Sequence, residues 1–119
     1  MIIQFINNQV MERFCIHPVH PMLVKIDQWI FEKYGALFIT SSWRPYKIHP
    51  GDSGIHSEIP IRANDLRSKI FTSPSEVEDC INQNWEYDPQ RPELNVCVYH
   101  NSGQGWHFHV QVHQNTRVR

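Results

Sequence analysis

The chain has 119 residues, 40% of them hydrophobic, and a formal net charge of −1 with neutral histidines. This length and composition predict a single domain, residues 1–119, that is built around one hydrophobic core. A charge so close to zero provides no basic field for a phosphate backbone, which argues against nucleic acid as the main ligand. The three cysteines are few and widely spaced, which argues against a disulfide framework and a cysteine-rich zinc site.

The first half of the chain predicts a short apolar start, an ordered loop, one helix and one strand. Prolines restrict residues 15–21 to an extended loop. Apolar residues then recur at helical spacing over residues 21–34, with Pro21 in the first turn and Gly35 as the stop. Residues 36–42 are short, apolar and rich in β-favouring side chains, and they predict a buried strand.

The second half predicts a long loop over residues 46–60, which is of the length that usually has a function. Residues 61–66 predict a second strand. Ser73 and Pro74 are typical of a helix start, and this helix is expected to run to about Asn84. After a loop over residues 85–93 come a third strand, 94–99, and a turn into a tail strand, 106–113.

The tail strand is the most informative stretch, because side chains alternate between the two faces of a strand. One face is apolar and is predicted to join the core: Trp106, Phe108, Val110 and Val112. The other face carries His107, His109, Gln111 and His113, so it is predicted to carry chemistry. The alternative is a half-exposed strand whose histidines are incidental.

Five polar residues form the predicted site: Arg44 at a strand end, His56 and Asp65 upstream, and His107 and His109 on the tail strand. Two imidazoles and one carboxylate with an open fourth position are a ligand set of catalytic zinc. For Arg44 the alternative is a surface salt bridge, and for Asp65 it is a strand-end cap. The other histidines are predicted to be loop or surface residues, with His100 the exception if its strand lies beside the tail: His17, His20, His49, His100 and His113.

Three segments, in this order, resemble motifs of a known family: Ser41-Ser42-Trp43-Arg44, the stretch from His56 to Asp65 with its Ala63-x-Asp65 ending, and His107-Phe108-His109-Val110. The chain from residue 36 to residue 113 is similar to the zinc peptidases that include D-alanyl-D-alanine carboxypeptidases, penicillin-insensitive murein endopeptidases, phage endolysins and the hedgehog signalling domain. The spacing from His56 to Asp65 is nine positions rather than the family's seven, and the family's glycine is missing.

The resemblance implies an α+β fold with a small, mainly antiparallel sheet, the site on one face and the helix of residues 21–34 on the other. It implies a Zn²⁺ ion held by His56, Asp65 and His109, with Arg44 binding substrate. The implied reaction is hydrolysis of a peptide bond in peptidoglycan stem peptides, by an endopeptidase or a D,D-carboxypeptidase. No glutamate lies three residues before His109, where the carboxypeptidase branch has its general base, so His107 or another group has to move the proton.

Two other functions stay open: a catalytically inactive, metal-containing binding module of the same fold, and a phage structural protein without metal. No membrane span is predicted. The apolar start lacks a basic leader, so no signal peptide is predicted. We expect a monomer that is made in the cytoplasm and reaches the cell wall after release, as a phage or prophage lysis enzyme would.

Overall fold

The computed structural model describes residues 3–48, 50–103 and 105–119 and shows an α+β fold, as predicted. Its helices are α1 (Asn8–Cys15), α2 (Pro21–Tyr34) and α3 (Pro74–Asn84), and a 3₁₀ turn spans Ile55–Ser57. Its strands are β1 (Gln4–Phe5), β2 (Phe38–Ser41), β3 (Ala63–Arg67), β4 (Trp85–Glu86), β5 (Cys97–Asn101), β6 (Trp106–Gln111) and β7 (Arg117–Val118). None of the described helices has the length and apolar character needed to cross a membrane. His49, predicted to be a loop residue, lies outside the described residues.

Five strands form one mixed sheet in the order β1-β2-β3-β6-β5. β1 runs parallel to β2, whereas the other three pairings are antiparallel. β3 and β6 pair along their whole shared length, which places Asp65 opposite His109 and Arg67 opposite His107. The predicted mainly antiparallel sheet is present, and its central strands carry the candidate site.

Helix α2 packs its apolar stripe against one face of this sheet. Leu23, Ile26 and Ile30 are fully buried and belong to the same core cluster as Phe108 and Val110 of β6. Burying a large aliphatic or aromatic side chain contributes about 1.5–3 kcal/mol. The helix is therefore held on the face opposite the one that carries the alternating histidines of β6.

Both ends of α2 have a local cause. At the start, His20 Nδ1 accepts a hydrogen bond from the Met22 N–H (3.1 Å), and Pro21 occupies the first turn, where its missing N–H leaves no bond unmade. At the end, Gly35 adopts the left-handed conformation (φ 77°) that side chains with a Cβ disfavour. His20, predicted to be a loop or surface residue, is thus a helix cap.

The amino-terminal elements were not predicted. In α1, the Asn7 side chain caps the helix by accepting from the Val10 N–H (2.9 Å), and Val10 and Phe14 pack against the core at helical spacing. β1 consists of two residues, and its backbone hydrogen bonds go to β2. Such short elements depend on tertiary packing more than on local propensity.

Several predicted boundaries also differ in the structure: the strands predicted over 36–42, 94–99 and 106–113 are β2, β5 and β6, with the bounds given above. Ile61, expected to begin a strand, forms an isolated bridge with Val19 before β3 starts at Ala63. The predicted loop over residues 85–93 begins with β4, which pairs with β7 in a separate two-stranded sheet. The carboxyl-terminal end of the chain supplies this pairing, so the local sequence around Trp85 does not reveal it.

The prediction that Trp106 joins the core is wrong, since 55% of this side chain is exposed. Trp106 is the first residue of β6, beside the hairpin turn, and pairs with Asn101 at the end of β5. Its ring packs on Tyr99 (centroids 4.9 Å apart), and the remaining surface is left to solvent. The other apolar side chains of the predicted tail strand are fully buried, as predicted: Phe108 and Val110 of β6, and Val112 just after it.

A buried chain of polar side chains crosses from α2 into the sheet. Asn64 Nδ2 donates to Asp27 Oδ2 (2.7 Å), and Ser42 Oγ donates to Asn64 Oδ1 (2.9 Å). All three residues are buried, and no described residue bonds the second oxygen of Asp27. Burial raises the pKa of Asp27 to about 8, although the hydrogen bond from Asn64 opposes that rise.

The raised pKa of Asp27 predicts a pH-dependent stability. The folded state holds a proton that the unfolded state releases above pH 3.8, so this stabilisation is complete below that pH and is lost as the pH rises to about 8. Over this window the free energy of unfolding of the wild type should fall, relative to Asp27→Asn, by on the order of 1 kcal/mol per pH unit.

Urea denaturation of both proteins at several pH values measures this difference. Asp79→Asn, which removes an exposed carboxylate from α3, is the matched control and should track the wild type. A stability difference between wild type and Asp27→Asn that does not change between pH 4 and pH 8 would contradict the raised pKa.

Candidate metal centre

Three side-chain atoms converge on one point above β3 and β6. His56 Nε2 lies 3.3 Å from Asp65 Oδ1, His109 Nδ1 lies 3.2 Å from the same oxygen, and the two nitrogens are 3.2 Å apart. Bonds of about 2.0–2.1 Å to a tetrahedral ion place neighbouring ligand atoms about 3.3–3.4 Å apart. The triangle therefore has the edge lengths of three corners of a tetrahedral site, and these residues could hold a metal ion.

The hydrogen bonds of the outward-facing ring nitrogens fix the tautomer of both histidines in their neutral form. His56 Nδ1 lies 2.9 Å from the Ser42 carbonyl oxygen, and His109 Nε2 lies 3.1 Å from Gln111 Oε1. Gln111 Nε2 donates to the Asn95 carbonyl (2.9 Å), which turns Oε1 towards His109. Because these oxygens can only accept, both outward nitrogens carry the hydrogen, and the inward nitrogens of the neutral rings present lone pairs.

The electrostatics of the triangle favour a cation. Burial would raise the pKa of Asp65, but hydrogen bonds and charge interactions with His109 and His56 hold it well below its usual range. The carboxylate is thus ionised at neutral pH, and it accepts hydrogen bonds from the inward ring nitrogens when these carry a proton; a metal ion would displace those protons and bind the nitrogen lone pairs. A positive ion at the centre satisfies all three acceptors at once, so the donor set fits a metal.

His56 reaches the triangle from the 3₁₀ turn rather than from the sheet. The Arg44 N–H donates to the His56 carbonyl (2.8 Å), while the Ser42 carbonyl accepts from the His56 ring. Gly54, with φ 85°, precedes the turn in a left-handed conformation. Between the turn and β3 the chain is held at Ile61, whose N–H and C=O bond to the segment before α2.

His107 lies beside the triangle but is not part of it. Its Nδ1 donates to the Gly105 carbonyl (3.0 Å), which leaves Nε2 as a lone pair 3.9 Å from Asp65 Oδ1. His100 lies opposite on β5, with its ring 4.5 Å from that of His107. Burial, followed by the neighbouring His107 and His109, lowers the pKa of His100. The neutral form of His100 is thus favoured, and its ring lies next to that of His107.

Arg44 is also in the site, and each of its two terminal nitrogens forms one hydrogen bond. Its Nη2 lies 3.0 Å from Asp52 Oδ2, its Nη1 donates to Ser41 Oγ (3.1 Å), and the same Nη1 lies 3.9 Å from Asp65 Oδ2. The Arg44 and Asp52 side chains are only 13% and 3% exposed. Arg44 does form a salt bridge, as the alternative predicted, but the pair is largely buried and does not lie on the surface.

Asp52 is a residue of the candidate site that the sequence did not reveal. Burial would raise its pKa, but hydrogen bonds from the Gly54 and Ile48 N–H groups, together with Arg44, lower it below the usual range. It is therefore ionised at neutral pH and holds Arg44 in place. The Asp-Ser-Gly sequence at residues 52–54 is a turn signal, but nothing local indicates that the carboxylate turns inward.

All five predicted site residues line one open cleft of about 670 Å³: Arg44, His56, Asp65, His107 and His109. His100 and Trp106 line it as well, so the suspected exception among the remaining histidines belongs to the site. Elsewhere, His17 packs on Trp43 (ring centroids 4.2 Å apart), and His113 lies 3.7 Å from Asp88. The strand-end alternative for Asp65 is wrong, since this residue is the middle one of β3.

The hydrogen bond from His109 to Gln111 predicts a measurable effect on metal affinity. Gln111→Leu removes the acceptor that orients the ring and fixes its tautomer, and loss of such a partner lowers metal affinity about 10–100-fold. Competition with a chromophoric chelator measures the zinc dissociation constant. Gln83→Leu, at an exposed position on α3, is the control and should bind zinc as the wild type does. Equal affinities in the two variants would rule out the ligand role of His109 Nδ1.

The comparisons with known proteins found no protein similar to this chain. No family model, no curated protein and no solved structure matches the chain. The chemistry of the cleft therefore has to be inferred from the side chains that line it.

Proposed function

We propose that this protein is a zinc-dependent peptidase that hydrolyses a peptide bond in peptidoglycan stem peptides. The observation that carries the proposal is the triangle of two imidazoles and a carboxylate that opens into the cleft. Structural zinc sites are closed by four protein ligands, whereas catalytic sites keep three and leave one position for water or substrate. The site here is of the second kind.

The five residues of the predicted site have distinct roles in this reaction. A bound zinc ion would lower the pKa of a water molecule and polarise the carbonyl group of the substrate. His107 Nε2 faces the cleft as a lone pair, and the bond from its Nδ1 to Gly105 fixes the ring. It accepts the proton of the attacking water and returns it to the leaving amine, a role that is worth about 10²–10⁴-fold in rate.

Arg44 is suited to stabilising charge that develops on the substrate carbonyl oxygen. Asp52 and Ser41 hold its guanidinium rigidly at the edge of the ligand set, so no reorganisation is needed during the reaction. The same contacts use one N–H of Nη1 and one N–H of Nη2, so donors also remain for a substrate carboxylate, the role that the resemblance implies for this arginine. Both roles are part of the proposal.

The substrate class derives from the order of the three motifs in the sequence, and the cleft is consistent with it. A volume of about 670 Å³ is of the size that accommodates small ligands and short peptides. The open walls leave room for the chain on both sides of the scissile bond. Endopeptidase and D,D-carboxypeptidase activity both remain within this proposal.

Metal analysis and product analysis test the proposal together. We expect about one zinc ion per chain, and a lower melting temperature after chelation because the ligand set exists only in the folded state. Mass spectrometry of muropeptides should show new cleavage products that disappear with chelator and return with zinc. Unchanged muropeptides with zinc bound would identify a binding module, and failure to retain zinc would favour a structural protein.

The two histidines of β6 should separate metal binding from turnover. His109→Ala removes a ligand and should abolish both zinc retention and cleavage. His107→Ala leaves the triangle intact and should keep about one equivalent of zinc while losing about 10²–10⁴-fold in kcat. Circular dichroism checks that both variants are folded. If His107→Ala loses the metal and His109→Ala keeps it, the ligand assignment is reversed.

A further inference from the structure

The cleft contains two cations besides Arg44, and neither has a function in the reaction described above. Arg67 and Lys69 both line it, and among the described residues neither forms an ion pair. Arg44, in contrast, is paired with Asp52. The positive charge that remains available to a ligand therefore lies on the β3 side of the metal site.

Arg67 lies in the cleft close to the candidate metal ligands. It lies two residues beyond Asp65 on the same strand, and it is directly opposite His107 on β6. Residues i and i+2 of a strand share a face and are about 6.6–7 Å apart. Its guanidinium packs over the ring of Phe38 (4.4 Å to the centroid), which restricts the side chain and orients its planar set of donors.

This spacing matches the length of a short peptide. One extended residue spans about 3.3–3.6 Å, so the spacing of Asp65 and Arg67 along β3 corresponds to about two residues of an extended peptide. The cleft walls carry three cations (Arg44, Arg67 and Lys69) and two carboxylates (Asp52 and Asp65), a net charge of +1 with neutral histidines. A divalent metal raises this charge further, so the cleft favours an anionic ligand.

We propose that Arg67, assisted by Lys69, binds a carboxylate of the substrate about two residues from the scissile bond. This proposal rests on the proposed peptidase function and specifies its substrate class as acidic peptides. The carboxylate has two chemical sources: the free carboxyl terminus of the peptide, as in a carboxypeptidase, or an acidic side chain inside it, as in an endopeptidase. In both cases the guanidinium donates paired hydrogen bonds to the two oxygens.

The test compares three synthetic stem peptides of the same sequence: one with a free carboxyl terminus, one with that terminus amidated, and one in which the side-chain carboxylate is amidated as well. Arg67→Ala should raise KM about 10–100-fold for peptides that keep the recognised carboxylate, because a charge-assisted hydrogen bond is lost. The kcat value should change little. Arg67→Lys should recover part of the loss, and Arg91→Ala, which removes an exposed arginine outside the cleft, should behave as the wild type.

The pattern across the peptides identifies the source of the carboxylate. If amidation of the terminus alone removes the effect of Arg67→Ala, the terminus is bound; if the effect persists until the side chain is amidated, the acidic side chain is bound. Equal effects of Arg67→Ala on all three peptides, or none, would overturn the proposal.

Calorimetry with zinc-loaded His107→Ala protein measures the affinity for the same peptides without their being cleaved. The role of Arg67 in binding is therefore tested independently of turnover. If no cleavage occurs but carboxylate-dependent binding requires Arg67, the peptidase proposal fails and the binding site stands. If binding is the same for acidic and amidated peptides, the carboxylate site fails even where cleavage is found.

Discussion

The antiparallel register of β3 and β6 is the constraint on which the site depends. It sets Asp65 directly across from His109, on the face turned away from helix α2. Directly opposed residues of an antiparallel pair have Cα atoms about 4.5–5.5 Å apart, so a carboxylate and an imidazole meet over the sheet without help from a loop. Two of the three donor atoms are thus positioned by backbone hydrogen bonds, the least flexible part of the molecule.

The third donor has to be supplied by a loop, and the end of β2 provides the attachment. Ser42 gives its carbonyl to the His56 ring and its hydroxyl to Asn64, while the backbone of Arg44 holds the carbonyl of His56. The short segment after β2 therefore holds the His56 ring and positions Arg44 in the site. Through Ser42 it also connects His56 to the buried polar chain that ends at Asp27. This explains why a short polar segment with a tryptophan in its middle is buried rather than exposed.

The sequence revealed the parts of the fold that have a repeating pattern. Helix α2 and the alternation of β6 follow from spacing alone, and with them the shared face of His107, His109 and Gln111. Asp27 was available to the same reasoning, since it occupies a core position of the α2 pattern together with Leu23 and Ile30, but a carboxylate at that position does not reveal its partner. The helical spacing of Val10 and Phe14 in α1 was equally visible, although eight residues are too few for it to be decisive.

Other features could not be read from the sequence, because they are made by contacts between distant segments. β1 and β4 exist only through their pairing with β2 and β7. The inward turn of Asp52 is specified by a loop whose path depends on Arg44, eight residues away in the sequence. Trp106 follows the apolar alternation but lies where the sheet ends, and periodicity carries no information about what covers a strand.

The alternation along β6 has a consequence for how the protein reaches its native state. A shift of one residue against β3 would turn Phe108 and Val110 outwards and bury the imidazoles of His107 and His109 in their place. The mispaired chain would lose the hydrophobic core and the ligand triangle in the same step. The candidate metal ligands and the core therefore require the same strand alignment, and an ion bound by these ligands would favour that alignment during folding.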